Sequence, residues 1–365
     1  MVEWNVSPEA ARLHKDAHVW DMMLPWGYQD NVESKHRMVE HATGYGYTLA
    51  SLTVSVDWHG LDGAIKAIAG ERAYFLANPD KFVLVEQFAD IEAAKRDGKL
   101  AIIFHFQGTN PVESDLNMVE TYYKLGVRHM LMAYNIKNAV GDGGMERTDV
   151  GLSRFGVGLI EEMNRVGMIV DATHTGYRTT MDMFEVSKDP VIFSHSNPCA
   201  LWDHPRNIRD DQIKACAKSG GVICINGVGV FLGNNEASPE TVLKHIIYVA
   251  ELVGTQHVGI GTDCEANESP RGDFEARPAI PIDPGMAAKS TLFGGIFNRQ
   301  DLHQAAYLRA SGGKSIGPDW RWVRHFEPLD MPYLTEAMLD YGFSELEVRG
   351  ILGENIMRVA KRVWK

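Results

Sequence analysis

The regular alternation of short β-branched apolar runs with longer amphipathic stretches limits the fold of this chain more than any other feature. From "YTLASLTVSV" (47–56) onward the apolar runs are "LAIIFHF" (100–106), "HMLMAY" (129–134), "MIVDATH" (168–174), "PVIFSHS" (190–196), "GVICIN" (221–226) and "HVGIGTD" (257–263). Runs of this length and composition read as strands buried on both faces. Between them, apolar residues at helical spacing predict helices over 62–77, 89–97, 113–125, 153–166, 177–187, 209–219 and 240–253. Ser153 is placed to cap the helix at 153–166 and Gly167 to end it. With "HVW" (18–20) as a first strand, the chain holds eight strand–helix units. That number favours an α/β fold of the closed (β/α)8 TIM-barrel type over an open doubly wound sheet.

No Ser/Gly/Pro linker divides the pattern, so one domain over residues 1–365 is expected, and 365 residues with 45% hydrophobic content suffice for a large core. The segment 264–330, with "NESPRGDFEARPAIPIDPG", reads as a long excursion after the last strand, an insertion or lid on the face where barrel chemistry sits. The tail "SELEVRGILGENIMRVAKRVWK" predicts two helices with a turn and cap at "GEN". A net charge of −12, from 36 basic and 48 acidic residues, disfavours nucleic acid and anionic membrane as partners. Cys199, Cys216, Cys224 and Cys264 show no metal-binding spacing and read as free thiols in a reducing compartment. The start "MVEWNVSPEAARLHKDAH" has neither the basic region nor the apolar run of a secretory signal, and no window approaches about 18 uninterrupted apolar residues. A soluble, cytoplasmic protein is expected.

In such a barrel the residues that end the strands carry the chemistry. Here they are His105 and Gln107, Tyr134 and Asn135, Asp171 and His174, His195, Asn226, and Asp263 with Glu265. Any one alone is more simply a hydrogen-bonded core residue, but two histidines on neighbouring strands with an aspartate ending the last strand reverse that balance. Neutral imidazoles of His174 and His195 can bind zinc or a similar ion, which polarises a carbonyl or acidifies a water. Asp263 can take the proton of that water or act as a further ligand, or else cap the loop "TDCEANE". Arg206, in "DHPRNIRDDQ", can hold a carboxylate bidentately or pair with a nearby aspartate. The loop "AVGDGGMERTDVGLS" (139–153) lacks the spacing of a phosphate-binding loop.

The stretches "GLSRFGVGLIEEMNRVGMIVDATHTGYRTTM", "PVIFSHSNPCALWDHPRNIRDDQ" and "HVGIGTD" resemble the membrane (renal) dipeptidase family of binuclear zinc hydrolases, in order from about residue 9 to the C-terminus. The resemblance implies an amidohydrolase-type barrel, often a homodimer, that hydrolyses dipeptides or related small amides with two zincs bridged by a glutamate and a water. It implies that His174 and His195 bind the second zinc, that Asp263 handles the water proton and that Arg206 holds the substrate carboxylate. The other half of the pattern is absent. The family's His-x-Asp pair follows Val-Ile-Asp or Val-Trp-Asp, whereas Val19-Trp20-Asp21 is followed here by Met22-Met23-Leu24-Pro25. Met23 and Pro25 are not ligands for a hard zinc. His18 and Asp21 do not replace the pair, because a spacing of three puts them on opposite faces of a strand. Gln107 stands where the bridging glutamate is expected, and a neutral amide is a poor bridge between two dications. Tyr134 matches the family's substrate-contacting histidine and keeps a hydrogen-bond donor without imidazole chemistry.

The expectation is therefore a metallo-hydrolase of the membrane dipeptidase type with a divergent metal site. One zinc at most is held by His174, His195 and Gln107 or Asp263. Asp263 serves as base, His105 as a further catalytic candidate, and Arg206, Tyr134 and Asn135 contact a dipeptide-like or amino-acid-derived substrate. The alternative is a metal-free lyase or isomerase, or a binding protein, on the same scaffold. Met22, Met23 and Trp26 either line the pocket or pack in the core.

Overall fold

The structure, a computed structural model, describes residues 4–24, 32–264 and 323–365. The strands are β1 (Trp20–Asp21), β2 (Leu49–Val56), β3 (Phe82–Leu84), β4 (Leu100–Gln107), β5 (Val127–Leu131), β6 (Ile169–Asp171), β7 (Val191–Ile192), β8 (Ile223–Ile225) and β9 (Val258–Ile260). They pair in parallel in the order β1-β2-β4-β5-β6-β7, and β8 pairs with β9. Two further junctions close the ring. Phe193 bridges to Ile223, with Phe193 N donating to Val222 O at 3.0 Å and Cys224 N to Phe193 O at 2.8 Å. Met22 N donates to Ile260 O, and Asp263 N to Met23 O, both at 3.0 Å. The carboxylate of Asp21 strengthens this second seam by accepting from Thr262 N at 2.9 Å and Thr262 Oγ1 at 2.6 Å. The result is a (β/α)8 barrel with helices outside each junction, as the alternation predicts.

Each of the eight expected strands is present, and the seven expected helices lie within a few residues of their predicted bounds. Ser153 Oγ accepts from Gly156 N at 3.0 Å, and Gly167 ends that helix at φ 94°. The helix expected over 113–125 begins only at Asn117, because Glu113 and Ser114 take left-handed backbone (φ 49° and 63°) that a right-handed helix cannot contain. The strand β3, which pairs with the start of β4, is too short to show a period. The helices Pro8–Asp16, Val32–Ala42 and Met331–Tyr341 lie outside the predicted alternation. The tail corrects the expected turn at "GEN": the helices Glu345–Arg349 and Asn355–Val363 run on through a π-turn at Gly350–Glu354. Asn355 Nδ2 is anchored there on Thr255 O and Val258 O, both at 2.8 Å, which fastens the tail to the foot of β9. The expected excursion after the last strand lies, over 265–322, outside the described residues, as do Pro25 and Trp26.

The barrel interior is layered. Its floor is apolar, formed by Trp20, Met22, Leu49, Ala101, Ile103, Ile169, Ile192, Val222 and Cys224 against the C-terminal helix. Because inward positions recur every second residue, the next inward residues up β2 and β4 are Ser51 and Thr53, and His105 and Gln107. These are polar and almost wholly buried. Outward positions such as Leu52, Val54, Ile102, Phe104 and Phe106 pack under the helices in the main core. The sequence thus changes from apolar to polar along one face of the same strands, and that change sets the height at which chemistry begins.

Candidate active site

At the mouth, the two strand-end histidines meet. His174 Nε2 and His195 Nε2 lie 3.0 Å apart. His174 Nδ1 is 2.6 Å from Asn135 Oδ1, an acceptor only, so Nδ1 carries the proton and Nε2 presents a lone pair in the neutral ring. His195 Nδ1 lies 2.8 Å from Ser194 Oγ. The Tyr134 ring stacks on His174 at 4.1 Å between centroids. Burial, with Arg206 nearby, holds His195 well below the usual imidazole range and keeps it neutral. Asn135, His174 and Asp263 adopt φ of 57°, 69° and 54°, three of the seven described non-glycine residues in the left-handed region. Such backbone concentrates at functional sites, where surrounding contacts hold it in place.

The remaining mouth residues are positioned by loops. Asp263 Oδ2 accepts from Asn226 Nδ2 at 2.9 Å, and Asn226 Oδ1 accepts from Val228 N at 2.7 Å. Arg206 is buried with its guanidinium 5.2 Å over the ring of Phe231. Asp57, at the end of β2, accepts from the backbone N–H groups of Thr109, Asn110 and Tyr134 and from Asn138 Nδ2, at 2.9 to 3.1 Å. One carboxylate therefore holds the loops after β2, β4 and β5 together and fixes Tyr134. The sequence reading passes over Asp57, because it stops a strand that carries no other candidate.

Below the mouth, Met23 turns inward with its sulfur 3.1 Å from His105 Nε2 and 3.4 Å from Thr53 Oγ1. Met22 packs in the floor. Thr53 Oγ1 is 2.9 Å from His105 Nε2 and accepts from Gln107 Nε2 at 3.2 Å. His105 Nδ1 meets Ser51 Oγ at 2.9 Å, and Ser51 Oγ meets His129 Nε2 at 2.8 Å. Burial first, then the nearby His129, His195 and Lys35, hold His105 well below the usual range. Ser51, Thr53 and His129 are absent from the sequence reading. They lie inside strands rather than at strand ends; the period-2 count from Leu49 could have pointed to Ser51 and Thr53, and nothing local pointed to His129 on β5.

A pair of zinc ions does not fit this interior. The positions of the missing hard ligands hold Met23, a soft thioether against His105, and Gln107, whose Nε2 is engaged by Thr53. His18 reaches toward Glu92 at 3.5 Å, and Asp21 is occupied by Thr262, so neither serves the mouth. Among the described residues no three His, Cys, Asp or Glu side chains converge as a metal-holding group. The donors that do fit an ion are His174 and His195, whose Nε2 atoms converge while Asn135 orients one ring from behind.

Comparison with known proteins agrees with the fold. Residues 18–278 match the family model described as membrane dipeptidase (peptidase family M19). A Schizosaccharomyces pombe protein named as an uncharacterized dipeptidase is 36% identical over 190 residues, covering 50% of this chain and 46% of that protein. The chain spans about half the length of the curated relatives it matches. An amidohydrolase from Pseudomonas aeruginosa superposes with a TM-score of 0.79 at 30% identity, covering 97% of this chain and 99% of that one. A Rhodobacter sphaeroides metallopeptidase, solved with a phosphinate mimic of the dipeptide L-Ala-D-Ala, shares the fold with a TM-score of 0.70 at 18% identity, over 95% of this chain and 99% of its own. No described helix is long and apolar enough to cross a membrane.

Proposed function

The chain belongs to the membrane dipeptidase family, and from that membership we propose that it hydrolyses the C–N bond, amide or peptide, of a small carboxylate-bearing metabolite such as a dipeptide or amino-acid derivative. The convergence of His174 Nε2 and His195 Nε2 at 3.0 Å carries the reading. These two side chains would hold one zinc or similar ion, with Gln107 as a further oxygen donor. An ion held there supplies Lewis acidity toward a carbonyl and acidifies water. Asp263, oriented by Asn226, accepts the proton of the attacking water. Arg206 would hold the substrate carboxylate with its planar guanidinium, which lies over the ring of Phe231. Tyr134 and Asn135 border the same mouth, and Tyr134 offers a hydroxyl donor. His105, kept neutral by burial, is the interior acid–base group. Three curated relatives bear the name dipeptidase, which supports a dipeptide-like substrate. A cytoplasmic homodimer is the proposed working form, which the free cysteines and the family favour.

The test is elemental analysis of the purified, unsupplemented chain beside His174→Ala. About one divalent ion per chain, lost in the variant, is expected. Two per chain would overturn the single-ion site. None, even after zinc is offered, would favour a second reading, a metal-free lyase, isomerase or binding protein, for which the thioether of Met23 against His105 is the specific observation.

A further inference from the structure

The end of β2 carries an aromatic residue that the hydrolytic reading leaves unused. Trp58 follows Asp57, and its ring meets that of Tyr134 at 5.3 Å between centroids, with the planes crossing at 88°. Tyr134 in turn stacks on His174 at 4.1 Å. Both aromatic residues are half-buried. Trp58 follows β2 and Tyr134 follows β5, so the pair spans the intervening end of β4 and walls one side of the mouth. The wall is held from behind, because Asp57 accepts from Tyr134 N at 2.9 Å. Its surroundings suit an apolar group. Burial lowers the neighbouring His59 to about 4, which leaves it neutral near pH 7, and the Asp57 carboxylate is turned onto four N–H donors.

The order of strands around the ring places this wall relative to Arg206. The closed order is β1-β2-β4-β5-β6-β7-β8-β9, in which β7 stands four places from β2 in either direction. Arg206 lies on the segment between β7 and the helix at Asp210–Ser219. The segments that carry Arg206 and Trp58 therefore stand on opposite sides of the mouth, with His174 and His195 on the arc between them. A substrate whose carboxylate rests on Arg206 and whose carbonyl lies at the histidine pair extends its acyl side toward Tyr134 and Trp58. We propose that Trp58, together with Tyr134, forms an acyl-side subsite for a large apolar group, an aromatic ring above all, and so sets substrate specificity. The inference rests on the reading above in taking Arg206 as the carboxylate anchor. An aromatic ring buries a large apolar area and meets other rings edge to face or offset. A methyl group in the same place loses most of that contact.

The test uses the zinc-supplemented full chain and three dipeptides, Phe-Ala, Ala-Ala and Ala-Phe. All three carry the same carboxylate, so only the place of the ring changes. The native protein should favour Phe-Ala over Ala-Ala by about tenfold or more in kcat/KM. In Trp58→Ala that ratio should fall to about twofold or less, while the ratio of Ala-Phe to Ala-Ala keeps its native value. Trp58→Phe, which retains a ring, should give an intermediate ratio. A native protein with no preference for Phe-Ala would overturn the proposal, and that measurement needs no variant to fold. Loss of Phe-Ala and Ala-Ala turnover in equal proportion in Trp58→Ala would also overturn it, since that is the mark of a purely structural role. A fall in the Ala-Phe ratio alone would put the ring on the carboxylate side and is equally fatal. If none of the three is cut, the hydrolase reading fails, and calorimetric binding of the same dipeptides decides the subsite. Affinity for Phe-Ala about tenfold above Ala-Ala, lost in Trp58→Ala, sustains it, whereas equal affinities or no binding overturn it.

Discussion

Gly108 shows how much a single position can carry. Its φ of 135° is closed to most side chains, and a Cβ there would run into the Asp57 carboxylate. The approach is close because Asp57 gathers four N–H donors from the two loops after β4 and β5, one of them the backbone of Tyr134. Gly108→Ala should lower stability by on the order of 2–4 kcal/mol, measured by denaturant unfolding, with Tyr134 displaced from His174. A loss within about 0.5 kcal/mol would show that the loop relaxes and that Asp57 does not depend on the glycine. His174, His195, Arg206 and Asp263 were legible as candidates because a polar residue that stops an apolar run is conspicuous in a linear reading. His129 was not, because it sits in the middle of β5 and its meaning depends on Asp171 and Ser51, 42 and 78 residues away.

Among the elements, β1 is the least self-sufficient, with two residues and one seam closed largely through a side chain. Asp21 accepts from Met23 N as well as from both donors of Thr262, and burial raises its carboxyl to about 6. Asp21→Ala would leave these donors buried without an acceptor and should cost on the order of 3 kcal/mol in thermal or denaturant unfolding. Asp21→Asn should cost about 1 kcal/mol or less, since its Oδ1 still accepts the two N–H groups and the Thr262 hydroxyl can rotate to accept from Nδ2. Equal losses in the two variants would mean that the charge, and not the hydrogen-bond geometry, holds the seam. Strand and helix identities were readable here from period alone. The exact helix start at Asn117 and the π-turn at Gly350–Glu354 were not, because a local backbone choice and the anchoring of Asn355 on β9 decided them.

For the molecule as a whole, buried titratable groups set the response to pH. Burial lowers His14, His59, His204 and His245 to about 4 from an ordinary 6.5. Between those values the unfolded chain binds protons that the folded chain refuses, so stability falls as pH falls, by up to about 1.4 kcal/mol per pH unit for each group. Asp21 and Asp57, raised to about 6 from 3.8, act in the opposite sense below pH 6. Four groups outweigh two. Thermal unfolding followed from pH 7.5 to 4.5 should therefore show a midpoint that decreases throughout, and a rise on acidification would mean that the two aspartates dominate. The sequence by itself determined the eightfold alternation, the barrel, the heights of the strand ends and the family, because periodicity and short motifs are local properties of the chain. Tertiary structure alone decided that Met23 lies against His105, that Asp57 ties three loops, and that Asp171 reaches His129. Those pairings join strands far apart in sequence, and no local pattern encodes which inward side chains come to the same level once the barrel closes.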